Sequence, residues 1–113
     1  MVTPTIGSVV LVPFPFSDLS QAKLRPAVAL ADAGRGDWIL CQVTTSPYSD
    51  PHAIELTAAK LARSSLHSRS YARPGKLFTA SCNLLVAEIG MLQPQASREV
   101  VAAIISILRR SAP

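Results

Sequence analysis

The sequence places a single arginine, Arg25, directly before an apolar run typical of a buried strand. A guanidinium stays charged at ordinary pH, and its planar fork of N–H donors matches a phosphate through two parallel hydrogen bonds. Pro26 follows it and stiffens the adjoining backbone. The alternative interpretation is a surface arginine at a strand end that pairs with Asp18. Without the context of the neighbouring sequence, this alternative is the better explanation of Arg25.

A second candidate is the hydroxyl of Thr44, which follows another apolar run and could donate a hydrogen bond to a phosphate oxygen. Thr45 is an alternative for the same role, and an ordinary loop threonine is the remaining interpretation. The glycine-containing stretch at residues 32–37 predicts a turn that joins the two runs as a β-hairpin. Because a hairpin returns the chain to its starting level, we expect Arg25 and Thr44 at the same end.

The cysteines and histidines show no metal-ligand spacing, so neither a metal nor a cofactor is expected. Cys41 lies in an apolar run and is predicted to be a buried thiol, while a disulfide with Cys82 stays open. His52 and His67 have suitable intrinsic pKa values for acid–base work. Neither belongs to a motif, and we interpret both as structural or surface residues.

Composition predicts one domain over residues 1–113, with a core built from aliphatic side chains. The chain is 49% hydrophobic but only 5% aromatic, and its formal net charge is +4. Residues 60–76, the basic stretch, carry five basic residues and no acidic one. Either a solvated loop or a polyanion-binding segment fits that pattern. No signal peptide and no membrane-spanning run is evident, so a cytoplasmic protein is expected.

Short apolar runs separated by Gly and Pro predict a mainly β (α+β) domain, a small and partly open barrel. Pro13 and Pro15 are expected to stop the first strand, and Pro26 to begin the second. Residues 57–70 fit either a short helix or a loop. The predicted strands are residues 9–12, 26–31, 38–43, 52–56 (an edge strand), 76–81 and 84–92.

The last element is predicted to be an amphipathic helix that starts at Ser97, a good N-cap, with Glu99 in its first turn. Val100, Ile104 and Leu108 form an apolar stripe. The stripe is widened by Val101 and Ile105. This apolar face, on so small a chain, makes a dimer plausible.

Three blocks of the sequence resemble the signature blocks of the MazF/PemK toxin family. In order they read GSVVLVPFPFSDLSQAKLRPAVAL (residues 7–30), ILCQVTTSP (residues 39–47) and SYARPGKLFTASCNLLVAEIGML (residues 70–92). The resemblance spans nearly the whole chain, and the combination is more specific than any single block. The family often has Gly-Asp before strand one, whereas this chain has Gly7-Ser8.

The resemblance implies an SH3-like β-barrel with a C-terminal α-helix, and a homodimer. It also implies a metal-independent endoribonuclease that cuts single-stranded RNA (mRNA) at short sequences through 2′-hydroxyl attack, and a cognate antitoxin. By resemblance, Arg25 and Thr44 align with the family's catalytic residues. The expected RNA-binding residues are Phe14, Phe16, Asp18, Lys23, Ser46, Tyr48, Arg73 and Lys76.

Two other classes of function remain open. One is a barrel like that of CcdB, which poisons DNA gyrase and cuts nothing. The other is an inactive barrel that only binds proteins. An Arg25–Thr44 pair favours the nuclease, because a gyrase poison has no use for it.

Overall fold

The computed structural model describes residues 2–15, 22–47, 50–66 and 68–111. Phe16, Asp18, Tyr48 and His67 lie outside these ranges. The described part contains seven strands, two short 3₁₀ turns at Ala58–Lys60 and Cys82–Leu84, and one long helix, α1 (Pro94–Ser111). The strands are β1 (Ser8–Pro15), β2 (Ala22–Gly34), β3 (Asp37–Thr44), β4 (Ile54–Glu55), β5 (Leu61–Ser64), β6 (Tyr71–Ser81) and β7 (Ala87–Leu92).

All the strands join one antiparallel sheet in the order β4-β6-β3-β2-β1-β7-β5. The sheet curls into a partial barrel, and α1 is the last element. The predicted mainly β fold with a C-terminal helix is therefore confirmed, as is the edge position of β4.

The central strands bury side chains on both faces, because successive residues of a strand point to opposite sides. On one face Val9, Val28 and Cys41 pack with Val100 and Ile104 of α1. A second cluster forms from the intervening residues. Its members are Val10, Val12, Ala27, Ala29, Leu40, Ala80 and Leu85. Burial on both faces explains why β1, β2 and β3 read as continuous apolar runs.

The prediction that Pro13 and Pro15 end β1 is wrong, because the strand continues through both to Pro15. The Leu11 carbonyl accepts a hydrogen bond from Val86 N–H at 2.8 Å, so Leu11 faces the β7 side. Pro13 and Pro15 have the same alternation as Leu11 and face that side too. Because the β1–β7 pairing ends at Leu11, their missing N–H groups cost no ladder bond.

Pro26 does not begin β2, since that strand starts at Ala22. Pro26 lies opposite Leu11 of β1, in a pair whose backbone groups point away from each other. Its missing N–H therefore faces β3, where the paired register begins one residue later at Ala27. The β1–β2 ladder includes Pro26 opposite Leu11 and Arg25 opposite Val12, so Arg25 is a strand residue.

The segment 57–70 contains a strand that the sequence pattern did not predict. Ala58–Lys60 forms a 3₁₀ turn, and Leu61–Ser64 then pairs with β7 as the outermost strand of the sheet. The pairing comes from a distant part of the chain, so local propensity carries little information about it. The β6 strand is also longer than expected, beginning at Tyr71.

The helix α1 begins at Pro94, so the predicted N-cap at Ser97 is wrong. Proline favours the first helical position, where its missing N–H needs no partner. Ser97 is instead buried within the helix, and Glu99 lies beyond the first turn, where it pairs with Lys60. Within the ranges described, α1 included, no helix combines the length and hydropathy required to cross a bilayer.

The apolar stripe of α1 is confirmed at Val100 and Ile104 but wrong at Leu108, which is 63% exposed. The buried face continues instead through the half-buried Ile107, as expected when a 3.6-residue period drifts along a helix. Val101 and Ile105 face outward with Leu108. The helix therefore has a second, exposed apolar face.

Gly7 connects the start of β1 to the rest of the fold. Its N–H donates to the Ala29 carbonyl at 2.8 Å, and its carbonyl accepts from Leu92 N–H at 2.9 Å. The φ of Gly7 is +94°, a conformation that favours glycine. The adjacent Ser8 is fully buried, and its Oγ accepts from Thr5 N–H at 3.0 Å. A serine hydroxyl thus anchors this turn without a carboxylate.

Candidate active site

The register of β2 against β3 brings Arg25 and Thr44 to the same level of the sheet. Ala27 pairs with Gln42, and Val28 pairs with Cys41. In an antiparallel ladder, extending this register by two residues places Arg25 opposite Thr44. The structure therefore places the two residues at the same end of the β2–β3 hairpin.

Arg25 and Thr44 also share a face of the sheet. Arg25 follows the alternation of Ala27, and Thr44 follows that of Leu40; both Ala27 and Leu40 belong to the second cluster. The Arg25 side chain is exposed, and Thr44 is half-buried. The apolar face of β2 and β3 thus ends in a cation and a hydroxyl at the solvent boundary.

The Thr44 hydroxyl is held by the bend that follows β3. Its Oγ1 accepts a hydrogen bond from Ser46 N–H at 3.1 Å and lies 3.3 Å from the Ser46 carbonyl, to which it donates. Thr45 is outside the strand and exposed, as is the Ser46 side chain. Thr44 is thus a strand residue on the face that Arg25 shares, whereas Thr45 follows the strand.

Beside this pair lies a polar cluster of Gln42, Arg73 and Asp50, which we name the Asp50 cluster. Arg73 Nε donates to Asp50 Oδ2 at 2.7 Å, and Arg73 Nη1 lies 3.5 Å from Gln42 Oε1. Gln42 is buried, and the Asp50 side chain is only 9% exposed. Gln42 precedes Thr44 by two residues, so the cluster adjoins the same face.

Two opposing effects set the charge state of Asp50. Burial alone raises the pKa of this carboxyl, because it disfavours the charged form. The hydrogen bond from Arg73 and that from the His52 backbone N–H at 2.9 Å favour the charged form, as do the nearby positive charges. The net result is a pKa below the ordinary value, so Asp50 is a carboxylate at neutral pH.

Gln42 and Asp50 were not predicted as site residues from the sequence. The signal for Gln42 was a lone amide within the apolar run of β3, which indicates a buried polar group that needs a partner. The sequence marked Asp50 only as a typical turn residue. In the structure its side chain accepts a hydrogen bond from the backbone N–H two residues later, as turn aspartates do. Its ion pair with Arg73 joins residues far apart in the sequence, and no spacing rule predicts that contact.

Phe14 and Lys23 extend the candidate site along β1 and β2. They are cross-strand partners, and Lys23 follows the same alternation as Arg25. Phe14 is half-buried and packs edge-on against Phe78, with ring centroids 4.8 Å apart and planes at 80°. Phe14 thus covers the end of the second cluster, whereas Lys23 is exposed.

Most of the positive charge in the basic stretch is neutralised by acids from elsewhere in the chain. Arg73 belongs to the Asp50 cluster, and Lys76 is exposed on β6. The sequence count of five bases and no acid therefore overstates the local charge. The ion pairs are Lys60 with Glu99, Arg63 with Glu88, Arg69 with Glu55 and Arg73 with Asp50.

The remaining ionisable candidates have structural contacts. His52 Nε2 lies 3.2 Å from Arg110 Nη2, which can only donate, so this contact ties the end of α1 to the turn before β4. Cys41 is buried, and desolvation raises its pKa to about 12, which makes the thiol unreactive. Neither cysteine forms a disulfide. Across the described ranges, no group of three or more His, Cys, Asp or Glu could hold a metal ion.

The curled sheet with its terminal helix defines the class of protein, since MazF toxins have this fold. The chain resembles MazF in a MazE–MazF complex from Deinococcus radiodurans, with 20% identity, a TM-score of 0.76, and coverage of 98% of this chain and 100% of that one. It also resembles a mycobacterial endoribonuclease solved with its cognate antitoxin (16% identity, TM-score 0.72, coverage 98% and 100%). The Mycobacterium tuberculosis toxin MazF-mt6 is similar as well (15% identity, TM-score 0.68, coverage 90% and 96%).

The family model for PemK-like, MazF-like toxins of type II toxin–antitoxin systems matches residues 5–108. The chain therefore belongs to that family. A comparison with curated proteins gave no significant match.

Proposed function

We propose that this toxin is an endoribonuclease that cleaves single-stranded RNA without a metal ion. The observation that supports the proposal is the β2–β3 register, which ends at the pair Ala27–Gln42 and, extended by two residues, puts Arg25 opposite Thr44 on one face. Lys23 and the Asp50 cluster flank the pair on that face. A strand of RNA lying along it would meet cations on several elements, as phosphate binding requires.

In the proposed reaction, the 2′-hydroxyl of a ribose attacks the adjacent phosphorus. The 2′-oxygen loses its proton and forms a bond to phosphorus, the bond to the 5′-oxygen breaks, and that oxygen takes up a proton. The products are a 2′,3′-cyclic phosphate and a 5′-hydroxyl. Negative charge builds on the non-bridging oxygens, where Arg25 supplies a fixed cation and Thr44 an O–H donor.

Binding of the RNA would rest on the flanking residues. Lys23 and Lys76 are exposed cations suited to the backbone. Phe14 is half-buried with its ring edge-on to Phe78, and it is the aromatic side chain in the described part of the site that could stack on a base. Ser46 is held beside Thr44 through its backbone. Phe16, Asp18 and Tyr48 remain expectations from the sequence.

We further propose that a cognate antitoxin blocks this site and that the chain forms a homodimer. The formal charge of +4 and the cations on the site face suit an acidic antitoxin segment. Exposed apolar residues on α1 suit a second copy of the chain. A toxin that cuts mRNA acts in the cytoplasm.

Incubation of the purified protein with a long single-stranded RNA in EDTA tests the function. We expect discrete fragments that end in 2′,3′-cyclic phosphate, and their loss in Arg25→Ala. Arg35→Asn is the matched control, because Arg35 is an exposed arginine at the turn end of the same hairpin. Intact RNA with the wild-type protein, combined with growth arrest in cells, would instead support the gyrase-poison class.

A further inference from the structure

Arg73 is held from two sides by residues of the Asp50 cluster. The carboxylate of Asp50 binds Nε at 2.7 Å, a short, charge-assisted contact, while the Gln42 amide oxygen lies 3.5 Å from Nη1. These contacts come from β3 and from the turn before β4, so separate elements fix one guanidinium. They engage two of its five N–H donors and leave donors on the Nη1–Nη2 edge for another acceptor.

The ion pair differs from the others of the basic stretch because its acid has the least exposed side chain. The Asp50 side chain is 9% exposed, against 48%, 25% and 41% for Glu99, Glu88 and Glu55. Well-exposed pairs contribute little, whereas a carboxylate with little exposure needs its partner to offset the hydration that it has lost. Asp50 therefore restrains Arg73 in a way that the other acids do not restrain their bases.

We propose that Asp50 is a positioning residue, which holds the Arg73 guanidinium so that its outer edge contacts a phosphate of RNA bound beside Arg25 and Thr44. This inference rests on the proposed nuclease function. Asp50 itself touches no substrate; it acts through Arg73. Gln42 completes the cradle from the face that it shares with Thr44.

The charge balance makes the inference testable. Arg73 and Asp50 cancel, so Asp50→Asn adds one positive unit to the RNA-binding face. If Asp50 acted only through charge, this variant would bind RNA more tightly and cleave it at an unchanged rate. A positioning role predicts instead that kcat falls, because Arg73 is no longer fixed, while KM does not rise.

The experiment measures kcat and KM for a short single-stranded RNA with the wild type, Asp50→Asn, Arg73→Lys and the double variant. We expect Asp50→Asn and Arg73→Lys each to lower kcat by about tenfold or more, and the double variant to lose no more than either alone. Glu88→Gln is the matched control, since it removes the acid of an arginine ion pair on β7, and its kcat is expected to match the wild type.

Two results would overturn the inference while leaving the nuclease intact. One is a kcat for Asp50→Asn equal to that of Glu88→Gln. The other is a double variant whose losses multiply, since residues that act as one unit are not additive. A melting temperature measured for each variant identifies unfolding, and the kcat comparison is made well below it.

A readout without RNA separates this inference from the nuclease proposal. In the wild type, the Arg73 Nε–H resonance is expected to be sharp and protected from solvent exchange by the Asp50 contact. In Asp50→Asn it should broaden through exchange. Absence of RNA cleavage by the wild type would overturn the nuclease proposal. Separately, an Arg73 Nε–H resonance that Asp50→Asn leaves unchanged would overturn the positioning role.

Discussion

The Thr44 hydroxyl makes two hydrogen bonds within the chain, and these bear on its proposed role with RNA. It accepts from Ser46 N–H and donates to the Ser46 carbonyl, which closes the bend after β3. Only the donated bond, at 3.3 Å, must be given up for the hydroxyl to donate to a phosphate oxygen. The accepted bond can persist and hold the oxygen in place opposite Arg25.

Thr44→Val replaces this hydroxyl by a methyl group of similar shape. Because it removes a donor aimed at developing negative charge, we expect kcat to fall by about a hundredfold, with a smaller change in KM. Thr44→Ser should recover much of the loss. Cleavage rates for these variants and for Thr45→Val decide between the neighbours: a loss confined to Thr45→Val would assign the donor to Thr45 instead.

Asp50 also gives a stability prediction with a definite sign. Its pKa is lowered in the folded protein, so its charged form contributes stability above the ordinary carboxyl pKa of about 3.9. That contribution is lost as the pH falls through the lower folded-state pKa. The groups that favour the charge are Arg73 and the backbone N–H of His52.

Urea unfolding of the wild type and Asp50→Asn, from about pH 6 to about pH 2, measures this contribution. We expect the wild type to be more stable at the upper end and its advantage to shrink toward the lower end. An advantage that stays constant, or grows as the pH falls, would show that the carboxylate is not stabilised by Arg73.

At the scale of the elements, the sequence predicted the β2–β3 hairpin and the edge strand β4, but it did not predict the opposite edge strand, β5. The β2–β3 turn is encoded locally by Gly34 and Gly36, both at positive φ, so the pairing that aligns Arg25 with Thr44 could be inferred. The β5 strand depends on pairing with distant β7. The Asp50 cluster depends on where the segment between β3 and β4, which carries Asp50, meets β6. Neither has a periodic pattern, which is why both were missed.

The junction of β1, β7 and α1 contains a glycine with two separate constraints. Gly7 has a φ of +94°, and a Cβ added to it would lie 2.8 Å from Ser97 Oγ. Gly34 has nearly the same φ, +92°, but nothing within 4 Å of an added Cβ. The pair can therefore separate backbone strain from close packing.

Gly34→Ala is expected to cost about 1–2 kcal/mol of unfolding free energy, the penalty of a left-handed conformation for a residue with a Cβ. Gly7→Ala should cost measurably more, because the same penalty is joined by a contact with Ser97 that forces α1 to shift. Denaturant unfolding of both variants gives the comparison. Equal losses would mean that the Ser97 side chain moves aside without cost.

At the scale of the whole molecule, charge and apolar surface are distributed differently from their order in the sequence. The basic stretch is largely neutralised by Glu55, Glu88, Glu99 and Asp50, whereas Lys23 is exposed on the site face. One exposed apolar surface lies on the outer side of α1, while Leu24, Leu77, Leu84 and Val86 are exposed elsewhere in the fold. These two surfaces suit different partners, an anionic polymer and an apolar protein face.

The outer face of α1 gives the last prediction. Ile6 and Leu108 are each 63% exposed, and Val101 and Ile105 lie with them on the outer side of the fold. Apolar side chains grouped in this way are costly to leave in water, and a twofold pairing of α1 with its copy would bury them. We therefore expect the wild type to sediment at about twice the 12.0 kDa chain mass.

Ile105→Lys should sediment as a single chain, because a charge in an apolar contact lacks a partner. Ser106→Lys adds the same charge at the adjacent exposed position and should remain a dimer if the contact is centred on Ile105. A wild type that sediments at the mass of one chain, or a Ile105→Lys variant that stays paired, would exclude this face as the dimer contact.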